Sequence, residues 1–261
     1  VHDDLLMPFR SSPTSAGIFL DFDGTLSEIV LVPSDARPLV GVQELLAGLG
    51  SRFAVVSIVS GRSADELVEW LGTDVEIWGV HGAQRALGGK TAYSDRALPH
   101  RELIALVKAE AEEEIARAGL PGVIVEDKGV MIGLHFRAAA DPERAHDELD
   151  RIAEQLVRKH GLNRAGGRLA FELRPPVDFS KAAVVLDRTR EARLSAVMFV
   201  GDDKVDLPAF DALDILKTEG VHTVRVAVNS TEAPTELLTR SDLVVDGPAG
   251  VVELLTTLVE D

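Results

Sequence analysis

Two short acidic clusters carry the chemistry that this chain can perform. The first is Ile18-Phe-Leu-Asp21-Phe-Asp23-Gly24-Thr25, an apolar run that ends in two carboxylates spaced by two. In an extended chain that spacing points Asp21 and Asp23 to one side while Phe22 turns to the core, and Gly24 permits a sharp turn. The second is Val197-Met-Phe-Val-Gly201-Asp202-Asp203-Lys204-Val205-Asp206, again an apolar run closed by acids. On its own it reads first as a solvated loop before a helix, whose N-terminus favours acids. Brought to one sheet edge, the two clusters would repel each other unless a hard divalent cation neutralised them, and Mg2+ suits a site with few carboxylate ligands and several waters. Such an ion can bridge a phosphoryl oxygen to the protein. Two further pieces suit the same anion: Ser60-Gly61-Arg62, a hydroxyl on a Gly turn, and Asp178-Phe-Ser-Lys181, an ammonium at a helix start. Taken singly, Ser60 reads as a helix cap and Lys181 as a surface cation.

These pieces need a scaffold that delivers them to one edge. Short apolar runs at Gly17–Leu20, Phe53–Val59, Val75–Val80, Ala196–Val200, Thr223–Val228 and Leu243–Val245 alternate with helical patterns at Arg37–Leu49, Ala64–Leu71, Lys181–Arg190, Leu207–Leu213, Pro234–Thr239 and Ala249–Leu258. Buried strands alternating with amphipathic helices predict an α/β fold with a mainly parallel sheet covered on both faces. In such sheets ligands bind beyond the carboxyl ends of the strands, where both acidic clusters fall. Ser63-Ala-Asp-Glu66 reads as a capping box opening one of the helices.

The stretch from 99 to 176 has a different pattern and predicts an inserted α+β module. It carries two long helical stretches, Arg101–Ala118 and Pro142–His160, and strands Val123–Asp127, Val130–Arg137 and Arg168–Arg174 that pair locally around an Asp127-Lys128-Gly129 turn. Pro175-Pro176 marks its end. The expected division is an N-terminal arm over 1–16, loosely held, a core over 17–98 and 177–261, and the insertion. Along Val130–Arg137 the residues Ile132, Leu134 and Phe136 share one face, leaving His135 and Arg137 on the other. Glu126 with Lys128, and Glu172 with Arg174, give neighbouring strands a polar side as well. On residue types alone that face reads first as a solvated surface and only second as a site for sugar hydroxyls.

Composition narrows the function classes. The 261 residues carry 27 Lys and Arg against 43 Asp and Glu, a net charge of −16, so polyanionic partners and anionic membranes are repelled and no nucleic-acid role is expected. No cysteine is present, which removes disulfides, thiolate zinc sites and thiol nucleophiles. No apolar run approaches the roughly 18–20 residues of a membrane span. The start of the chain lacks the pattern of a signal peptide, so a cytoplasmic protein is expected. The seven histidines form no Arg-His-Gly phosphatase motif.

The four pieces around Asp21, Ser60, Lys181 and Asp202, in this order and each at a strand end or helix start, resemble the haloacid dehalogenase superfamily of aspartate-nucleophile phosphohydrolases. Within it, Gly79-Val-His81-Gly82, Val125-Glu126-Asp127-Lys128, Leu134-His135-Phe136-Arg137, Phe171-Glu172-Leu173-Arg174-Pro175 and Gly201-Asp202-Asp203 resemble the trehalose-6-phosphate phosphatases. The resemblance implies a Rossmann-like core with an inserted cap, Mg2+ dependence, and hydrolysis of a phosphorylated disaccharide as a monomer or small homo-oligomer. It implies Asp21 as nucleophile, Asp23 as general acid and base, and Ser60 and Lys181 as phosphate holders. The metal would be held by Asp21, Asp202 and the Asp23 carbonyl, with Asp203 and Asp206 behind them. Thr25, Arg62, His81, Gly82, Glu126, Lys128, His135, Arg137, Glu172 and Arg174 are the expected substrate contacts, the cap face reading sugar hydroxyls as the cap opens and closes on hinges near 94–100 and 175–177. The chain departs from the family pattern at Val205 and Leu207, where Thr and Glu are usual, at Ala182 for Gly, at Val80 for Asn, and at Gln84 for an acid. Related phosphatases acting on sucrose, mannosylglycerate or glucosylglycerol phosphates, and a catalytically silent regulatory homologue, are the alternatives.

Overall fold

The structure is a computed structural model that describes residues 3–30, 35–167, 169–177 and 179–259. The chain begins with α1 (Asp3–Ser11), β1 (Ala16–Leu20), α2 (Val42–Arg52), β2 (Val55–Val59), α3 (Ala64–Leu71), β3 (Glu76–Gly79), β4 (Gln84–Leu87) and β5 (Lys90–Tyr93). It continues through α4 (Arg101–Ala118), β6 (Ile124–Asp127), β7 (Ile132–His135), α5 (Pro142–His160), β8 (Asn163–Gly167) and β9 (Ala170–Arg174). The last part comprises α6 (Lys181–Glu191), β10 (Ala196–Gly201), α7 (Leu207–Thr218), β11 (His222–Asn229), α8 (Thr235–Arg240), β12 (Leu243–Asp246) and α9 (Gly247–Val259). Two compact units result: Val1–Ala92 with Phe179–Asp261, and Tyr93–Asp178.

The first unit holds an eight-stranded sheet in the order β12-β11-β10-β1-β2-β3-β4-β5. All pairs from β12 to β3 are parallel, and β3 pairs with β4 antiparallel. The central strands are buried on both sides. Ile18 and Leu20 of β1 join one apolar cluster with α2, α3 and α9, whereas Phe19 joins the other with α6 and α7. This is the arrangement that near-continuous apolar strands require. From β1 the chain proceeds to β2 on one side, while β10 pairs on the other, so the crevice beyond the end of β1 lies where the winding direction changes.

Three local readings are corrected by the packing. The N-terminal arm is not loose: α1 buries Leu6 and Phe9, and His222 donates from Nε2 to the Leu5 carbonyl at 2.8 Å. The helix expected from Arg37 starts only at Val42, because Leu39 donates its amide to the Leu26 carbonyl and Ser27 bridges to Pro38. At the far edge, β4 and β5 form a hairpin that the sequence did not predict, turning on Gly88 and Gly89 at φ 56 and 75.

The second unit is a four-stranded sheet, β6-β7-β9-β8, backed by α4 and α5. Ile132, Leu134, Phe171 and Leu173 face Ile104, Val107, Leu149 and Ile152 in its own apolar core. The unit starts at Tyr93, earlier than 99, because Tyr93 packs against the β6–β7 turn. A Cβ on Gly129, which sits at φ 77, would stand 2.0 Å from the Tyr93 Oη, and Arg101 lies 4.3 Å over the same ring. Arg168 and Asp178, at the ends of two expected segments, lie outside the described residues. No helix among the described residues is long and apolar enough to cross a membrane.

Candidate functional site

The carboxyl ends of β1 and β10, adjacent and parallel, bring Asp21 and Asp202 side by side. The Asp21 amide donates to the Val200 carbonyl at 2.9 Å, extending the ladder one residue past β1 and fixing where the side chain emerges. Gly24 then allows the close approach. It sits at φ 72, and a Cβ there would stand 2.0 Å from Asp202 Oδ2, so a side chain at this position would displace the carboxylate. Gly201 has the same function for Asp206, whose Cγ lies 2.4 Å from where a Cβ would be.

Asp21, Asp202 and Asp206 are all buried, and each offers a carboxylate oxygen within 4.8 Å of the other two. Asp206 organises the group. Its Oδ2 accepts from the amides of Asp202 at 3.0 Å and Asp203 at 3.1 Å, and its Oδ1 accepts from Lys181 Nζ at 2.6 Å. Lys181, the first residue of α6, also reaches Asp21 Oδ1 at 2.7 Å. Asp203 turns away and caps the next turn, accepting from the Lys204 amide; its carboxylate is not part of the trio.

Three carboxylates against one ammonium leave the site short of positive charge. Burial pushes the Asp21 carboxyl up to about 7, with Lys181 opposing and Asp206 reinforcing the rise. Burial, then the Asp21 and Asp206 charges, push Asp202 up to about 8. The donor set fits a hard divalent cation: three buried carboxylates share the single Lys181 ammonium, so Asp21 and Asp202 keep excess negative charge between them, while Asp206 already has its oxygens engaged by Lys181 and two amides. Asp21 and Asp202 are the residues that would hold the ion, with Asp206 behind them.

In chelator, the folded chain keeps protons on Asp21 and Asp202 that the unfolded chain releases above about pH 4. The folded state binds more protons, so these groups make stability fall as pH rises from about 4 to about 8. Asp202→Asn removes one of the two titrations, and its urea midpoint should decline less with pH than that of the unsubstituted protein. A decline equally steep in both would refute this account of Asp202.

The remaining expected residues distribute as follows. Ser60, at the end of β2, is buried, and its Oγ accepts from the Arg62 amide at 3.2 Å. His81 follows β3 at φ 57, donates its amide to the Ser60 carbonyl at 2.8 Å, and lays its ring against Gly61, where a Cβ would stand 2.9 Å from Cε1. Gly82, at φ 105, abuts Val184. Thr25, expected to touch substrate, is fully buried, and its Oγ1 has no hydrogen-bond partner among the described residues. Arg62 differs most from expectation: it directs Nε and Nη2 to the two oxygens of Asp23, both at 2.8 Å, and Nη1 to Glu66 at 3.1 Å. Only the serine half of the expected capping box forms, since Ser63 accepts from the Glu66 amide while the Glu66 carboxylate turns to Arg62. Gln84 accepts from the Ala64 amide with Oε1 at 2.9 Å and so secures the start of α3.

In the second unit the polar face is an ordered network. His135 Nε2 bonds Glu126 Oε2 at 2.8 Å, Lys128 Nζ bonds Glu172 Oε1 at 2.8 Å, and Lys128 lies 3.7 Å from Glu126. Gly133 makes this possible, because a Cβ there would stand 2.6 Å from His135 Nε2. The His135 bond chiefly holds the Glu126 carboxyl below its ordinary range. Arg174 ends β9 half-buried, and Arg137 lies beyond β7, exposed.

Known proteins share both the fold and the sequence. A solved structure of a trehalose-6-phosphate phosphatase related protein superposes with a TM-score of 0.74 at 22% identity, covering 94% of this chain and 97% of its own. A haloacid dehalogenase-like hydrolase from Bacteroides thetaiotaomicron superposes at 0.65 with 16% identity, covering 93% and 99%. The fold is thus a haloacid dehalogenase-like parallel-sheet core with an inserted α+β unit. The trehalose-phosphate phosphatase of Mycolicibacterium paratuberculosis is 30% identical over 254 residues, 93% of this chain and 62% of that protein. The chain therefore spans about three fifths of the length of the curated relatives it matches. The trehalose-phosphatase family model matches residues 19–242, and the chain belongs to that family.

Proposed function

We propose that this protein is a Mg2+-dependent phosphatase that hydrolyses trehalose 6-phosphate to trehalose and phosphate through an aspartyl-phosphate on Asp21. The observation that carries this reading is the buried Asp21 carboxylate at the end of β1, 2.7 Å from the Lys181 ammonium and beside Asp202, in a chain of the trehalose-phosphatase family. Asp21 is the nucleophile: its oxygen attacks phosphorus as the sugar oxygen leaves. Asp23 gives that oxygen its proton and later takes one from the attacking water. Lys181, together with the Ser60 hydroxyl, offsets the charge of the phosphoryl oxygens. When bound by Asp21 and Asp202, with the Asp23 carbonyl completing the protein's share, the divalent ion supplies electrostatic stabilisation of the phosphoryl group.

Sugar recognition belongs to the second unit. Glu126, Lys128, His135 and Glu172 hold one another in fixed orientations, which is what reading a neutral disaccharide by hydrogen bonds demands. The assay that tests the reading is phosphate release from a panel of sugar phosphates and a small aryl phosphate, with Mg2+ and with chelator. Trehalose 6-phosphate should be the best substrate, and chelator should stop all release. Lys128→Ala should cost about 1–3 kcal/mol in kcat/KM for the disaccharide and leave the aryl phosphate nearly unaffected. Preference for another sugar phosphate would reassign the substrate, and an inert protein would leave a regulatory homologue.

A further inference from the structure

We infer that Arg62 is a positioning residue that orients Asp23 for proton transfer, a role that rests on the reading of Asp23 as general acid and base. Asp23 lies beyond the end of β1, just before the turn at Gly24, and its side chain is 43% exposed. A carboxylate so placed has no orientation of its own, yet proton transfer requires it within hydrogen-bond reach of the reacting oxygen.

Arg62 supplies the missing constraint. Its Nε and Nη2 meet Asp23 Oδ2 and Oδ1 at 2.8 Å each, a two-pronged pairing that fixes both the position and the plane of the carboxyl group. The guanidinium is itself anchored on several sides. Nη1 bonds Glu66 at 3.1 Å, and the carbon of the fork lies 5.0 Å from the Trp70 ring centre and 5.7 Å from that of Phe22. Its backbone is held as well: the amide donates to Ser60 Oγ, and the carbonyl accepts from the Val80 amide at 2.7 Å. The pairing takes two of the four lone-pair sites of the carboxylate and leaves the others for a proton in transit. A lysine here would restore the charge and not the plane.

The two chemical steps depend on Asp23 unequally. In the first, the Asp21 oxygen bonds to phosphorus, the bond from phosphorus to the leaving oxygen breaks, and the proton of Asp23 passes to that oxygen. In the second, a water oxygen bonds to phosphorus, its proton passes to Asp23, and the bond between the Asp21 oxygen and phosphorus in the acyl phosphate breaks, returning the carboxylate. An acidic phenol leaves without a proton, so a dinitrophenyl phosphate needs Asp23 only in the second step.

Stopped-flow assays with Mg2+ on Arg62→Ala and Arg62→Lys test the role. Turnover of trehalose 6-phosphate should fall by about a hundredfold or more in both variants. With dinitrophenyl phosphate, each variant should release phenolate in a rapid burst stoichiometric with protein, at close to the unsubstituted rate, and then turn over slowly. Near-normal turnover in either variant would overturn the proposal. So would a burst that slows in step with turnover, the mark of a merely structural residue. If Arg62→Ala does not fold, as judged by circular dichroism, Arg62→Lys decides alone. Near-normal turnover of trehalose 6-phosphate in Asp23→Asn would instead sink the underlying reading of Asp23, independently of Arg62.

Discussion

Asp21→Asn is expected to abolish phosphate release from every substrate, by more than about a thousandfold in kcat, while the protein stays folded. The amide matches the carboxylate in size, and its oxygen still accepts from Lys181, which keeps its 2.6 Å bond to Asp206. On the proposed mechanism, what is lost is the nucleophile, for which no neighbour substitutes. Asp202 lies in the same trio but emerges from β10 against Gly24, and Asp23 is committed to Arg62. Steady-state assays with Mg2+, together with circular dichroism, check both halves. Residual activity within about tenfold, roughly 1.4 kcal/mol of barrier, would remove Asp21 from the role of nucleophile.

Lys181→Met should destabilise the fold by about 3–5 kcal/mol when measured in chelator at neutral pH. The ammonium is buried between Asp21 and Asp206. Burial alone would lower its pKa, and the two carboxylates more than reverse this, holding it above the ordinary lysine value. Methionine fills the space and leaves the carboxylates facing one another without their cation. The sulfur side chain packs well, so the loss reports the charge and not a cavity. Urea unfolding curves give the measurement, and Mg2+ should recover part of the loss by replacing the missing charge. An unchanged midpoint in chelator would mean that the trio does not depend on Lys181.

The sheet was legible in the sequence because β1 and β10 are short, wholly apolar runs and β2, β3 and β11 are interrupted by only a few polar residues such as Ser57, Glu76 and Arg225. Asp21 and Asp202 were legible because they close such runs. Segments that obey no period were missed. Helix α1 contains Pro8 and is short, and its burial of Leu6 and Phe9 depends on a groove that no local pattern announces. Strand β8, Asn163–Gly167, ends in two glycines and lies at the edge of its sheet, where side-chain alternation is weak. The pairings within the site were also hidden. Arg62 finds Asp23 across 39 positions, and Lys181 finds Asp206 across 25. Asp206 could be recognised as an acid near a helix start; that it would fasten the amides of Asp202 and Asp203 depends on the missing Cβ of Gly201.

The chain departs for its insertion from β5, the outermost strand of the large sheet, and returns just before Lys181, against the acidic trio. The two junctions are therefore unequal in what evolution can do with them. Residues added or removed between 94 and 98, past the Tyr93 that packs on the Gly129 turn, leave the inner strands of the large sheet and their register untouched. The same change near 179 would shift the helix that carries Lys181 and misplace its ammonium. On the proposed mechanism, new recognition modules can be grafted, lengthened or exchanged by drifting the departure point, while the point of return stays pinned by Lys181.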